Sequence, residues 1–219
     1  MNPHRQGKQT MMMRRLSALA LAGLLAGPLT GCGNLLERPL APATYRIEPA
    51  LPAPPGGAVA LPLTLQVVRP LAATSYDTEQ IAYRRQAYRL DNYTQSRWAE
   101  PPAEMLGNLM ARALEDSGMY RVVLGPEARL PADLRLHTEL TALEHVIHDA
   151  SASQGSEVRL GMRMKLVETR TARVLASGSF EIVRPAFSTD APGAVAAANE
   201  AAREAVERMI AFCREHTPR

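Results

Sequence analysis

Three long runs between positions 134 and 182 alternate apolar and polar residues with a period of two, and they constrain the fold more than any other feature. In the first, Leu134, Leu136, Leu140 and Ala142 alternate with Arg135, His137, Glu139 and Thr141. In the second, Val158, Leu160, Met162, Met164 and Leu166 alternate with Arg159, Arg163 and Lys165, and in the third Val174, Ala176, Gly178, Phe180 and Ile182 share one side. Successive side chains of a strand point to opposite faces, so each run predicts a strand with a single buried side, as in antiparallel sheets with one wet face. The link from Glu168 to Arg173 is short enough for a hairpin.

The apolar face of such a sheet must be covered, and two helical patterns are available. Pro101 and Pro102 open the first, where a missing amide donor costs nothing; Leu106, Leu109, Met110, Ala113 and Leu114 form its apolar stripe and Gly118 stops it. Asp190 caps the second, striped by Val195, Ala198, Ala202, Ala205, Val206, Met209 and Cys213. Shorter strands are predicted over Leu61 to Val67, Glu79 to Tyr83, Ala87 to Tyr93 and Tyr120 to Leu124, with the middle pair joined around Arg85 and Gln86. The expected fold class is α+β, a mostly antiparallel sheet covered on one face by two helices.

The N-terminus carries a different signal. Arg14 and Arg15 precede a run from Leu16 to Leu29 that is nearly all Leu, Ala and Gly. That run suits a secretory leader and is too short for a bilayer span, which needs roughly 20 apolar residues. It ends in Leu29-Thr30-Gly31-Cys32, a lipobox. Cleavage before Cys32 would make its thiol the N-terminal acylation point, so residues 1–31 read as a lipoprotein signal peptide, and Met11, Met12 and Met13 offer alternative starts. From Gly33 to about Gly57 the chain is rich in Pro, Ala and Gly, which makes an extended tether. Within it Thr44 to Glu48 reads as a short strand. The division is therefore 1–31 leader, 32–60 lipidated N-terminus and tether with a strand at 44–48, and 61–219 one α+β domain of about 160 residues, enough for a core.

Removing the leader changes the charge balance. The whole chain has 25 Lys+Arg against 22 Asp+Glu, but Arg5, Lys8, Arg14 and Arg15 all precede Cys32, leaving 21 basic against 22 acidic residues and a net charge of −1. The basic precursor is thus no argument for nucleic acid, and export past the inner membrane argues against that partner. With Cys32 acylated, Cys213 stands alone: it excludes an internal disulfide and reads as a small buried hydrophobe on a helix.

The residues offer little catalytic chemistry. His145-Val146-Ile147-His148-Asp149 holds three candidate metal ligands, but two histidines three apart on a strand face opposite ways and no Cys or Glu cluster completes a site. Ser177-Gly178-Ser179 runs through a strand and lacks the glycines of a nucleophile elbow. No catalytic, cofactor or metal residue is assigned, and an enzyme is not expected. Aromatic and basic residues do concentrate in one segment, where Tyr76, Tyr83, Tyr88, Tyr93 and Trp98 interleave with Arg84, Arg85, Arg89 and Arg97. The candidate partner interface is Tyr83, Arg84, Arg85, Tyr88, Arg89, Tyr93 and Arg97, since Arg and aromatic side chains dominate binding energy at interfaces and guanidinium pairs well with phospholipid phosphate. An equal reading packs the tyrosines in the core beneath a wet, arginine-lined sheet face. Trp98 reads as a packing anchor where the first helix begins.

Ile81, Tyr83, Leu90 and Tyr93, followed by Arg97-Trp98-Ala99-Glu100-Pro101-Pro102 and a helix, resemble the ABC-type transport auxiliary lipoproteins, the PqiC/YmbA family. The lipobox, Thr44-Tyr45, Ser117-Gly118-Met119-Tyr120 leading into Val122-Val123, and Ala132-Asp133-Leu134-Arg135-Leu136 extend the likeness over essentially the whole mature chain. Leu134 departs from it, since the family often has an aromatic residue after the Asp. The resemblance implies a non-enzymatic subunit of an MCE-type lipid transport system. Such a subunit would be held in the outer membrane, face the periplasm, dock onto an MCE-domain protein of an inner-membrane ABC permease and ATPase, and support membrane integrity. Gly33, which is not Asp, favours the outer membrane by analogy with enterobacterial sorting. Phospholipid contact and self-association into a homo-oligomer are compatible with that role and are specified by no residue pattern. Rival readings are a free-standing periplasmic lipid carrier, its acyl chains held between sheet and helices, and a purely structural envelope lipoprotein. No cofactor is expected beyond the acyl and diacylglycerol groups on Cys32.

Overall fold

The computed structural model describes residues 41–51, 60–148 and 155–218. The leader, Cys32 and the Pro-rich stretch at 52–59 lie outside the described residues. Nine strands occur among those described: β1 (Ala43–Tyr45), β2 (Leu61–Val67), β3 (Leu71–Ala72), β4 (Gln80–Gln86), β5 (Arg89–Trp98), β6 (Tyr120–Leu124), β7 (Leu134–Ile147), β8 (Ser156–Glu168) and β9 (Arg173–Pro185). Two helices accompany them, α1 (Pro102–Asp116) and α2 (Ala191–His216).

The long period-two runs form the antiparallel spine β7-β8-β9, with Leu134 opposite Glu168 at one end and Ile147 opposite Ser156 at the other. The second edge of β7 is shared by three short strands laid end to end: β2 beside Leu134 to Leu136, β3 beside Glu139 and Leu140, β4 beside Glu144 to Val146, all parallel to β7. β6 adds to β2 in parallel, β5 adds to β4 antiparallel, and β1 closes that edge parallel to β5. The sheet is therefore mixed: the spine and the β4–β5 hairpin are antiparallel, and the remaining ladders are parallel. Period alone could not show this, because a strand that buries one face alternates in the same way in either direction.

Both helices pack on one face and share a single core with the sheet, including Leu106, Leu109 and Leu114 of α1, Leu136, Leu140, Leu160, Met162 and Leu166 of the spine, and Met209 of α2. Helix α1 starts as predicted, with Pro in its first turn, and ends at Ser117 before Gly118, whose φ of 63° is the left-handed stop glycine favours. Asp190 caps α2 by accepting from the Gly193 N–H at 3.1 Å.

Four details of the sequence reading change. A bulge between Leu140 and Ala142 flips the phase of β7, so that Leu143, His145 and Ile147 turn inward and Ala142 does not. Gly161 sits opposite that bulge because a Cβ there would come within 2.6 Å of Thr141 Oγ1. A second irregularity, between Leu166 and Val167, leaves Val174 exposed while Leu175 packs against the core. The apex of the β4–β5 hairpin is Ala87-Tyr88 rather than Arg85-Gln86, with Tyr88 at φ 65° in the left-handed region that bulky residues rarely occupy. Finally, part of the segment read as tether belongs to the domain. Ile47 is a core residue, and Asn199 of α2 both accepts from the Glu48 N–H at 2.7 Å and donates to the Arg46 carbonyl at 3.1 Å.

Candidate functional site

Strands β4 and β5 form an arm that carries all seven residues of the candidate interface, and the pleat sorts them into three places. Odd positions of β4 face the helices: Ile81 is buried, Tyr83 is half-buried and Arg85 is exposed at the tip. The Tyr83 ring meets Tyr93 of β5 at 4.8 Å between centroids with the planes tilted by 44°, and the Arg85 guanidinium lies 5.7 Å from the Tyr83 centroid.

Beneath this pair the Tyr93 hydroxyl donates to the Thr189 carbonyl at 3.3 Å and meets His145 Nδ1 at 2.8 Å. A phenol has one proton, so the Thr189 bond assigns the imidazole proton to Nδ1, which donates to the Tyr93 oxygen and leaves Nε2 as the unpaired atom. Burial pulls His145 down to about 4, so it is neutral near pH 7, and burial pushes the Tyr93 phenol up to about 12. His145 thus anchors the arm to the loop before α2 as a neutral hydrogen-bonding group.

Arg84 points to the opposite, helix-free face. It pairs with Glu144 at 2.8 Å, and Tyr76 donates to the other oxygen of that carboxylate at 3.1 Å. Burial foremost, and then Glu144, raise the Tyr76 phenol to about 12. Two further arginines have partners on the arm or next to it: Arg89 with Asp91 at 3.0 Å and Arg97 with Glu79 at 3.2 Å. Tyr88 stands fully exposed at the apex. Tyr83 and Tyr93 pack inward, while Arg85, Tyr88 and Arg89 are presented to solvent at the tip.

The sequence reading missed Phe187 and the His145 anchor. Phe187, in the loop between β9 and α2, is 75% exposed, and its signal was an aromatic residue amid Ala186, Ser188 and Thr189 immediately before a helix cap. The inward turn of His145 had no local signal, because it depends on the bulge in β7. Elsewhere Trp98 is buried where α1 begins, as expected of an anchor. Cys213 is fully buried, and burial raises its thiol to about 12. The hollow between sheet and helices bounded by Ile81, Trp98, Leu143, Val158, Ala194 and Ala198 amounts to about 10 Å³.

Comparison with known proteins matches residues 45–210 to a family described as the ABC-type transport auxiliary lipoprotein component. Among solved structures, a protein of Xanthomonas campestris assigned to the DUF330 family is 26% identical; the match covers 78% of this chain and 94% of that one with a TM-score of 0.67. An uncharacterized protein at 12% identity, covering 78% of this chain and 98% of its own, shares the fold with a TM-score of 0.60. No curated protein matches.

Proposed function

The chain belongs to the ABC-type transport auxiliary lipoprotein family, and from that membership we propose that it is a non-enzymatic subunit of an MCE-type lipid transport system, anchored through acylated Cys32 in the outer membrane and facing the periplasm. In this reading residues 1–31 are removed, a short tether follows, and the domain docks onto an MCE-domain partner served by an inner-membrane ABC permease and ATPase, supporting phospholipid traffic between membranes. The observation that carries the reading is the family match across nearly the whole folded domain. The lipobox supports the anchor, and several acyl chains together hold a protein stably where one is marginal.

The β4–β5 arm is the proposed contact segment. Interfaces favour Arg and aromatic side chains, and this arm combines them with a rigid base. For the rival carrier reading, the hollow bounded by Ile81, Trp98 and Leu143 holds about 10 Å³, room for roughly one water molecule, so acyl chains would have to lie in the larger grooves of about 430 Å³ beside Met105 and Val123 or about 510 Å³ beside Leu61 and Leu134. The inward Met and Leu residues serve as core.

Affinity capture of the acylated protein from detergent-solubilised envelopes, with mass spectrometric identification of what it retains, tests the proposal. An MCE-domain protein with its permease and ATPase is the expected recovery. Capture that returns none of these from envelopes in which the protein carries its acyl chains overturns the docking role.

A further inference from the structure

The geometry points to the tip end of the sheet, made by the β4–β5 apex and the β9–α2 loop, as a lipid-contacting surface that rests on the bilayer in which Cys32 is anchored. This inference builds on the lipoprotein reading above.

Chain direction is the first argument. β1 runs parallel to β5, with Ala43 beside Ser96 and Tyr45 beside Trp98. Traced backwards from Ala43, the strand direction therefore leads along β5 toward Arg89 and the hairpin apex. The seven residues from Ser96 back to Arg89 span roughly 23 Å at about 3.3 Å each. The eleven residues from Cys32 to Ala43 reach at most roughly 40 Å when extended. The tether can thus pass the apex with length to spare. The opposite end of the spine lies about 30 Å the other way, the nine residues from Leu143 to Leu134. Turning that end to the membrane would use most of the tether's reach and reverse its direction.

Surface chemistry at the tip is the second argument. Tyr88 at the apex and Phe187 in the adjacent loop are exposed by 104% and 75%, and the hydrogen bond from Tyr93 to the Thr189 carbonyl ties that loop to the arm. Aromatic side chains favour the headgroup layer of a bilayer, where an apolar ring meets a wet boundary. Arg85 has no ion-pair partner among the described residues, and it lines a groove of about 290 Å³ in which the other two guanidinium groups are already paired, Arg84 with Glu144 and Arg159 with Glu157. The unpaired Arg85 guanidinium at the tip suits the phosphate of an anionic phospholipid. Only the tip takes the lipid; the strand bodies, with Arg84 and Arg97 on their flanks, stay accessible to a protein partner.

The test uses the full acylated protein in vesicles of phosphatidylethanolamine and phosphatidylglycerol, with an environment-sensitive fluorophore on a single introduced cysteine: Tyr88→Cys, Phe187→Cys or, at the far end, Arg170→Cys. Native Cys213 is buried and does not compete for label. Spin-labelled lipid with its quencher near the headgroup should quench positions 88 and 187 several-fold more than position 170. Equal quenching at the three positions, or quenching strongest at 170, overturns the orientation while leaving the anchor intact. Flotation with the vesicles reports the anchor separately, and protein that fails to float overturns the lipoprotein reading together with this inference.

Discussion

His145 shows how one buried imidazole sets a pH limit on the fold. Its folded value near 4 lies below the ordinary histidine value of 6.5. Between pH 6.5 and 4 the unfolded chain therefore takes up a proton that the folded chain refuses, and stability rises with pH across that window. The folded protein should lose up to about 3 kcal/mol from this group on acidification from pH 7 to pH 4. In urea unfolding, the stability difference between wild type and His145→Gln should shrink as pH falls, with carboxylate effects common to both cancelling. A difference constant from pH 7 to 4.5 would count against the neutral anchor. Gly161 makes a steric counterpart. Its missing Cβ leaves room for Thr141 Oγ1, so Gly161→Ala should cost about 1–3 kcal/mol. Adding Thr141→Ala should restore most of that loss in thermal melts, because it removes the one atom within 3 Å.

Among the elements, α2 was the easiest to read and still lay slightly rotated from its prediction. Its cap, length and general stripe followed from Asp190 and the apolar period. The buried line, however, runs through Ala194, Ala197, Ala198, Ala201, Ala202 and Ala205, leaving Val195 half-buried. Alanine gives a weak hydrophobic signal in sequence, yet on this helix it permits close approach to the sheet. Over the same face Phe212 packs at 3.4 Å from where a Gly178 Cβ would stand. Ala201→Leu, at a fully buried position, should therefore destabilise by about 1–3 kcal/mol through overpacking, read as a lowered melting temperature by circular dichroism. The β4–β5 apex was misplaced by two residues because the sequence supplies no glycine or asparagine where φ turns positive. Tyr88 occupies that position, which holds its ring clear of the arm.

At the scale of the whole molecule, the domain spans the roughly 40 Å of β8, with its N-terminal strand entering from one end. If that strand hangs from acylated Cys32, the change Cys32→Ser should shift the protein from the membrane pellet to the soluble fraction while the domain's thermal melt stays unchanged. Mass spectrometry of the wild type should show the diacylglycerol and acyl additions on that residue. Pellet association of the serine variant at wild-type levels would overturn the anchor.

The sequence by itself determined the α+β class, the three long strands, both helices with their caps and the family to which the chain is assigned. Those features rest on interactions within a few residues or on a period that persists over ten or more. Tertiary structure alone decided that β2, β3 and β4 share one edge of β7 in parallel, that a bulge turns His145 inward onto Tyr93, and that Tyr88 and Phe187 emerge at the same end. Each of these depends on pairing between segments tens of residues apart, where strand direction and register are set by which edges and side-chain volumes fit together and leave no mark on local alternation.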